Sequence, residues 1–291
     1  MGAAKAIRDF HQGAAIVLLT TRPYAEFLSR APYFDEVWID ERPGWGDPAG
    51  LWRLARRLRT RRFGRVYDLS TRTRSALYFW LMRRADGPEW SGIVRCASHR
   101  QPDTAERRRL HTLDREADQL RRAGVPGPIP APDLSWALAD VARFGLPADY
   151  VLLIPGGAPH RPEKRWPLDR FIALAERVAA AGPTPVVLGG PAERDLGRAI
   201  AAAVPQARDL TGATDFSDIV VLGGGARRAI GNDTGPMHLA VVGGAAATVL
   251  YSAASDPSLT APRGPKIIVL RKDDLADLSV EEVAVTVDLK P

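Results

Sequence analysis

The 291-residue sequence is poor in the residues that make the most recognisable sites. It holds one cysteine, Cys96, which excludes an internal disulfide and any cysteine-based metal cluster. A near-absence of cysteine also fits a reducing compartment. Its five histidines lack the spacing of metal ligands, so no metal site is expected. No apolar run reaches the roughly 18 residues of a membrane span. The opening "MGAAKAIRDFHQG" is interrupted by Lys5, Arg8 and Asp9, unlike a signal peptide. No G-x-G-x-x-G follows a first strand and no P-loop occurs, which disfavours a dinucleotide enzyme or a P-loop NTPase. No serine sits in a G-x-S-x-G elbow, so a hydrolase of that kind is unsupported. The expectation is an unexported, cytoplasmic protein.

What is present is an ordinary globular composition, 45% hydrophobic and 25% charged, long enough for two domains of roughly 150 residues. The net charge of +6 is uneven. Met1 to Pro147 carries 25 Lys+Arg against 17 Asp+Glu, a balance of +8, and the remainder carries 15 against 17, a balance of −2. A basic first half can meet nucleic acid, a phosphorylated glycolipid or a membrane surface, or it can simply be arginine on solvated faces.

Apolar runs alternate with amphipathic stretches, the pattern of parallel α/β sheets. "AAIVLLTT", "EVWID" and "RVYDLS" read as strands. "PYAEFLSRA", "LWRLARRLRTRR", "RSALYFWLM" and "TLDREADQLRRAG" read as helices. "VPGPIPAP", Val125 to Pro132, is a linker, placing domains at 1–132 and 133–291. The second half runs through strands "YVLLIP", "PVVLGG", "RAIGN", "ATVLY" and "KIIVL", with helices "LDRFIALAERVAAAG", "AERDLGRAIAAAV", "FSDIVVLGG" and "PMHLAVVGG" between them. The fold class is therefore α/β, two Rossmann-like domains facing a cleft, with ligands at the carboxyl ends of the strands.

Three loops of the second half fall at such ends. In "PGGAPHRPEKRWP", Gly156 and Gly157 permit close backbone approach, and Lys164 and Arg165 place cations before a helix N-terminus, an anion site in outline. An ordinary basic surface loop explains them equally well. In "LGGPAERDL", Glu193 can accept from a ribose or serve the helix dipole alone. In "GNDTGPMHLA", Thr234 can cap the next helix, Pro236 suits its first turn and Gly235 leaves amides uncovered. Asp233 and His238 are less well explained by capping, because a carboxylate and an imidazole beside free amides are good partners for hydroxyls and phosphate.

"EKRWPLDRFIALAERV", "VVLGGPAERDL" and "GNDTGPMHLA" followed by "VLYSAASDP" resemble the ADP-heptose:lipopolysaccharide heptosyltransferases, glycosyltransferase family 9. "LLTTRPYAEFLSRAPYFDEVWID" and "RVYDLS" extend the resemblance over nearly the whole chain. It implies the two-Rossmann GT-B fold and inverting transfer of a heptose from ADP-heptose to a lipopolysaccharide inner-core acceptor, with no metal or other cofactor. Residue by residue it implies Lys164 on the donor pyrophosphate, Glu193 on the adenosine ribose and Asp233 on sugar hydroxyls. Thr234 and the Gly235 amide would cradle phosphate, with His238 supporting the loop. Gly156, Gly157 and Arg165 form a secondary donor loop, and Arg72 and Arg74 are the candidate acceptor contacts. The implied partners are the nucleotide-sugar donor and an anionic glycolipid, at the inner face of the inner membrane, and not nucleic acid.

Two departures from the family pattern stand out. Ala158, Pro159 and His160 replace small hydroxyl residues before the basic pair, implying a different hold on phosphate. The first strand and its Gly-Asp loop, whose Asp is the family's expected base, are missing from this sequence, so no catalytic residue is assigned. Loss of the central strand should leave unpaired backbone on its neighbours. It is the mark of a truncated sequence or of a chain that has lost transfer. The alternatives are therefore an inactive nucleotide-sugar-binding protein, or a transferase of the same fold acting on another glycan or a protein.

Overall fold

The run Tyr150–Ile154, five apolar residues without a polar break, forms a strand buried on both faces, as a central strand of a parallel sheet must be. The computed structural model describes residues 1–158 and 160–287, and for Thr73 the backbone alone; Pro159 lies outside them. The chain divides into two compact units, Met1–Asp133 and Leu134–Pro291.

Unit 1 contains α1 (Gly2–Phe10), β1 (Val17–Thr20), α2 (Arg22–Ser29), β2 (Glu36–Ile39), α3 (Pro48–Leu58), β3 (Arg65–Tyr67), α4 (Thr73–Met82), β4 (Glu89–Gly92), β5 (His99–Arg100), α5 (Ala105–Arg109) and α6 (Thr112–Arg122). Unit 2 contains β6 (Tyr150–Ile154), α7 (Leu168–Ala180), β7 (Thr184–Val187), α8 (Arg194–Ala203), β8 (Arg208–Asp209), α9 (Phe216–Gly225), β9 (Arg228–Asn232), α10 (Gly235–Val242), β10 (Ala247–Tyr251), α11 (Pro257–Thr260), β11 (Ile267–Arg271) and α12 (Val280–Ala284). The short strands β4, β5 and β8 escape the sequence reading, because two to four residues such as "EWSG" carry no period of their own.

Unit 2 is a six-stranded parallel sheet in the order β8-β7-β6-β9-β10-β11. In chain order this is 3-2-1-4-5-6, the doubly wound Rossmann arrangement, whose direction reverses between β6 and β9. Side chains alternate between two cores. Val151, Leu153, Val187, Ile230 and Leu250 face Phe171, Leu174 and Val178 of α7 and Val283 of α12. Leu152, Ile154, Val186, Ala229 and Val249 face Leu222 of α9 and Met237 and Ala240 of α10.

Unit 1 holds two smaller parallel sheets. β2 pairs with β1, and β3-β4-β5 form a separate parallel sheet. Among the described residues no strand joins β1 to β3. The difference shows in burial: every residue of β1 and β3 is only half-buried, while β7 and β9, the strands on either side of β6 in unit 2, are buried in all but their first residue. Packing of α3 and α4 on Trp90, and of α1 on Leu120 and Val125, still gives unit 1 two small cores.

Candidate donor site

Strand order in unit 2 brings two loops together at the switch point, one after β6 and one after β9. Asn232, the last residue of β9, is fully buried and ties them. Its Nδ2 donates to the carbonyls of Pro155 (2.9 Å) and Gly156 (3.1 Å), and its Oδ1 accepts from the Trp166 amide at 2.9 Å. Trp166 is itself locked edge-on to Phe171 and donates Nε1 to the Leu278 carbonyl. Neither Asn232 nor Trp166 was a sequence candidate. The asparagine's signal was its place, a polar residue closing the apolar run 229–231 of β9.

Asp233 follows, and its carboxylate collects four partners. Lys164 Nζ stands 3.1 Å from Oδ2, and Ser255 Oγ donates to the same oxygen at 3.2 Å. Tyr251 donates its hydroxyl to Oδ1 at 3.0 Å, and His238 Nε2 lies 3.6 Å from Oδ1, just beyond hydrogen-bond length. The Lys164 and Asp233 side chains are only 17% and 11% exposed. Burial pushes the Asp233 carboxyl up, but the His238 ring, the bond and charge of Lys164, and the Tyr251 hydroxyl outweigh it. The group is held well below the usual carboxylate range. Burial and the neighbouring Asp233 charge drive the Tyr251 hydroxyl the other way, far above its ordinary value. So Lys164 from one loop and Asp233 and His238 from another lie together in one place. Tyr251 and Ser255 belong to the quoted stretch "VLYSAASDP" and could have been found as the end of β10, the strand beside β9.

Thr234 corrects one expectation. It occupies the N-cap position of α10 with extended backbone, but its hydroxyl makes no capping bond. Pro236 at the second helical position has no N–H to offer, so one of the two usual cap donors is missing. The Thr234 Oγ1 is buried and finds no partner among the described residues. Gly235 borders open space, with nothing within 4 Å of where a Cβ would sit. An unpaired buried hydroxyl, uncovered amides and the positive end of α10 therefore share one spot, and Lys164 and His238 both reach Asp233 immediately beside it.

Glu193 caps rather than projects. Its Oε2 accepts from the Gly190 amide at 2.8 Å, and a Cβ on Gly156 would come within 2.8 Å of its Cγ. Gly156 is thus needed for the β6 loop to lie against this carboxylate. The carboxylate thus closes the turn that precedes α8, and Oε1 is the oxygen turned to the Gly156 loop. Arg165 folds back on the loop instead, its Nη2 donating to the Gly157 carbonyl at 2.8 Å, while its buried Nε has no partner among the described residues.

In unit 1, Arg72 is exposed and holds the N-cap position of α4. Arg74 is half-buried and committed to the fold: it donates to Tyr78 Oη and the Pro43 carbonyl and lies 3.8 Å from Asp40. Just after β3, Asp68 accepts from the Thr71 amide through Oδ1, whereas its buried Oδ2 has no hydrogen-bond partner among the described residues. Burial raises the Asp68 carboxyl, against bonds from Ser75, Thr71 and Ser70 and the charge of Arg107. Among the described residues no three His, Cys, Asp or Glu side chains gather closely enough to hold a metal ion.

The family model for glycosyltransferase family 9 (heptosyltransferase) matches residues 51–284, a span that contains every loop described above. The chain belongs to this family. It is a glycosyltransferase by that membership. Lipopolysaccharide heptosyltransferase 2 of Salmonella typhimurium is 26% identical over 237 residues, covering 75% of this chain and 68% of that protein. The Escherichia coli K12 protein of the same name gives the same identity and coverage. Among solved structures, E. coli ADP-heptose lps heptosyltransferase II superposes with a TM-score of 0.80 at 22% identity, covering 99% of this chain and 92% of that one. E. coli heptosyltransferase WaaC, solved with ADP-2-deoxy-2-fluoro heptose, gives 0.77 at 16% identity, with 99% and 93% covered. The family 9 fold is thus shared along the chain.

Proposed function

We propose that this family 9 chain transfers a heptose from ADP-heptose to a hydroxyl of an anionic lipopolysaccharide inner-core acceptor, with inversion and without a metal. The observation that carries the donor half is the meeting of Lys164, the unpaired Thr234 hydroxyl, the bare Gly235 amide and the α10 N-terminus at the switch point. A diphosphate there gains a cation, a hydroxyl and a helix dipole at once. In the reaction the acceptor oxygen bonds to the heptose anomeric carbon as the bond from that carbon to the diphosphate oxygen breaks, and the acceptor proton is released. ADP departs with an added negative charge, which Lys164 and the α10 amides stabilise where it develops. Asp233, ionised by its four partners, accepts from sugar hydroxyls, and Glu193 accepts from the ribose. Arg72 is the nearer of the two arginines to an acceptor role, since Arg74 is already engaged. The acceptor places the protein at the cytoplasmic side of the inner membrane. Among the described residues no helix is long and apolar enough to cross it.

One observation favours a second reading, donor binding without transfer: β1 and β3 are not joined in a single sheet. Calorimetry with ADP, followed by incubation with ADP-heptose and heptose-free inner core, separates the two. ADP binding with a mass gain of one heptose on the core supports transfer. Binding without the gain supports the second reading, and absence of ADP binding removes both.

A further inference from the structure

Helices α3 and α4 carry a surface that donor chemistry does not use. Trp52 on α3 is 62% exposed and Trp80 on α4 is 51% exposed, and Trp45 in the loop before α3 reaches 76%. Each helical indole carries a guanidinium over its face, Arg56 over Trp52 at 5.5 Å and Arg83 over Trp80 at 5.1 Å. The two helices are tied where they end, Arg59 Nε donating to the Leu81 carbonyl at 2.6 Å. Beside that tie lies an open hollow of about 440 Å³ lined by Trp52, Ala55, Arg56, Arg59 and Thr60.

Charge on this surface is one-sided. Arg53, Arg61 and Arg62 of the same stretch pair with Asp47, Glu36 and Asp86. Among the described residues no carboxylate comes within ion-pair distance of Arg56, Arg57, Arg59, Arg83 or Arg84. Apolar patches rimmed by polar residues mark protein or membrane contact surfaces, and indoles favour interfaces where one end of the ring is apolar and the other wet. Indoles set among unpaired cations match the interfacial zone of a bilayer, where the ring sits at headgroup level and the guanidinium meets lipid phosphate.

We propose that the α3–α4 surface docks unit 1 on an anionic phospholipid bilayer, with a lipid phosphate taken by Arg56 and Arg59 in the hollow beside Trp52. This goes beyond the transfer reading and is tested without donor or acceptor. The purified chain is sedimented with vesicles containing about one-third phosphatidylglycerol, and with vesicles of phosphatidylcholine alone, at physiological salt. Each arginine near an anionic surface is worth roughly fivefold in partition. The paired change Arg56→Gln and Arg83→Gln should therefore weaken binding to the anionic vesicles about 25-fold, and Trp52→Ala should weaken it independently. All three side chains are exposed, and an unchanged circular dichroism spectrum and thermal unfolding transition verify that the variants are folded. Arg59 is left intact because it ties α3 to α4. Preferential binding to anionic vesicles that these changes abolish supports the proposal. Equal binding to both vesicle types, no binding to either, variants that bind like the parent, or tighter binding to a short RNA than to the vesicles would each overturn it.

Discussion

Replacing Lys164 with alanine removes the ammonium that pairs with Asp233 and, on the proposed reading, the donor diphosphate. In the free protein Asp233 keeps the Tyr251 and Ser255 hydroxyls, so the carboxylate is not stranded. A hydrogen bond to a charged group contributes about 1.5–3 kcal/mol. Because Lys164 is still 17% exposed, the lower part of that range applies, about 1.5–2 kcal/mol, or roughly 10- to 30-fold in ADP affinity. The stability effect has a defined pH window. Asp233 is lowered in the fold, so its contribution is present above the unfolded aspartate value near 3.9 and is lost as pH falls through the lowered one. The stability gap between parent and variant should thus be full at neutral pH and close below about pH 4. Titration calorimetry with ADP at neutral pH measures the first effect and thermal unfolding between acid and neutral pH the second. An ADP affinity unchanged within about twofold would refute the assignment of Lys164 to the diphosphate.

Asp233→Asn should leave ADP affinity level or slightly improved, since Lys164 is released from its ion pair, while transfer from ADP-heptose falls; equal losses in both assays would make the residue structural. Thr234→Val removes a buried hydroxyl that has no partner, so the free protein should melt no lower than the parent. The same change should cost ADP about two- to tenfold in affinity, the value of a neutral hydrogen bond, and a lower melting point with unchanged affinity would contradict the reading. Asp68 is raised in the fold, so its ionisation destabilises increasingly as pH rises from the ordinary aspartate value through the raised one. Asp68→Asn should therefore gain on the parent in melting temperature from pH 4 to pH 8, and a pH-independent difference would show that the carboxyl is not strained by burial.

Much of this was legible in the residues because unit 2 is locally consistent. Strands such as "YVLLI" are apolar along their whole length, α7 and α8 are amphipathic while α9 and α10 are apolar nearly all round, and each switch-point loop carries its own glycine or proline. The partnership of Lys164 with Asp233 was not legible, since 69 residues separate them and only the order β6-β9 brings their loops together. Asn232 escaped for a related reason: its task is to hold two loops, which no local pattern encodes. Thr234 was misread at the level of one bond, because capping preference records position and says nothing about whether Pro236 has removed a donor. In unit 1 the strands were found as "AAIVLLTT", "EVWID" and "RVYDLS". The separation of β1 from β3 could be anticipated only through the resemblance, which supplies the strand order that the residues themselves do not.

The most direct test of the account is transfer itself. The purified chain, given ADP-heptose and heptose-free inner core, is predicted to release one ADP for each heptose added, with the configuration at the anomeric carbon inverted relative to the donor, and to lose this activity with Lys164→Ala. Release of ADP without a heptosylated product, or tight ADP binding with no turnover, would contradict it.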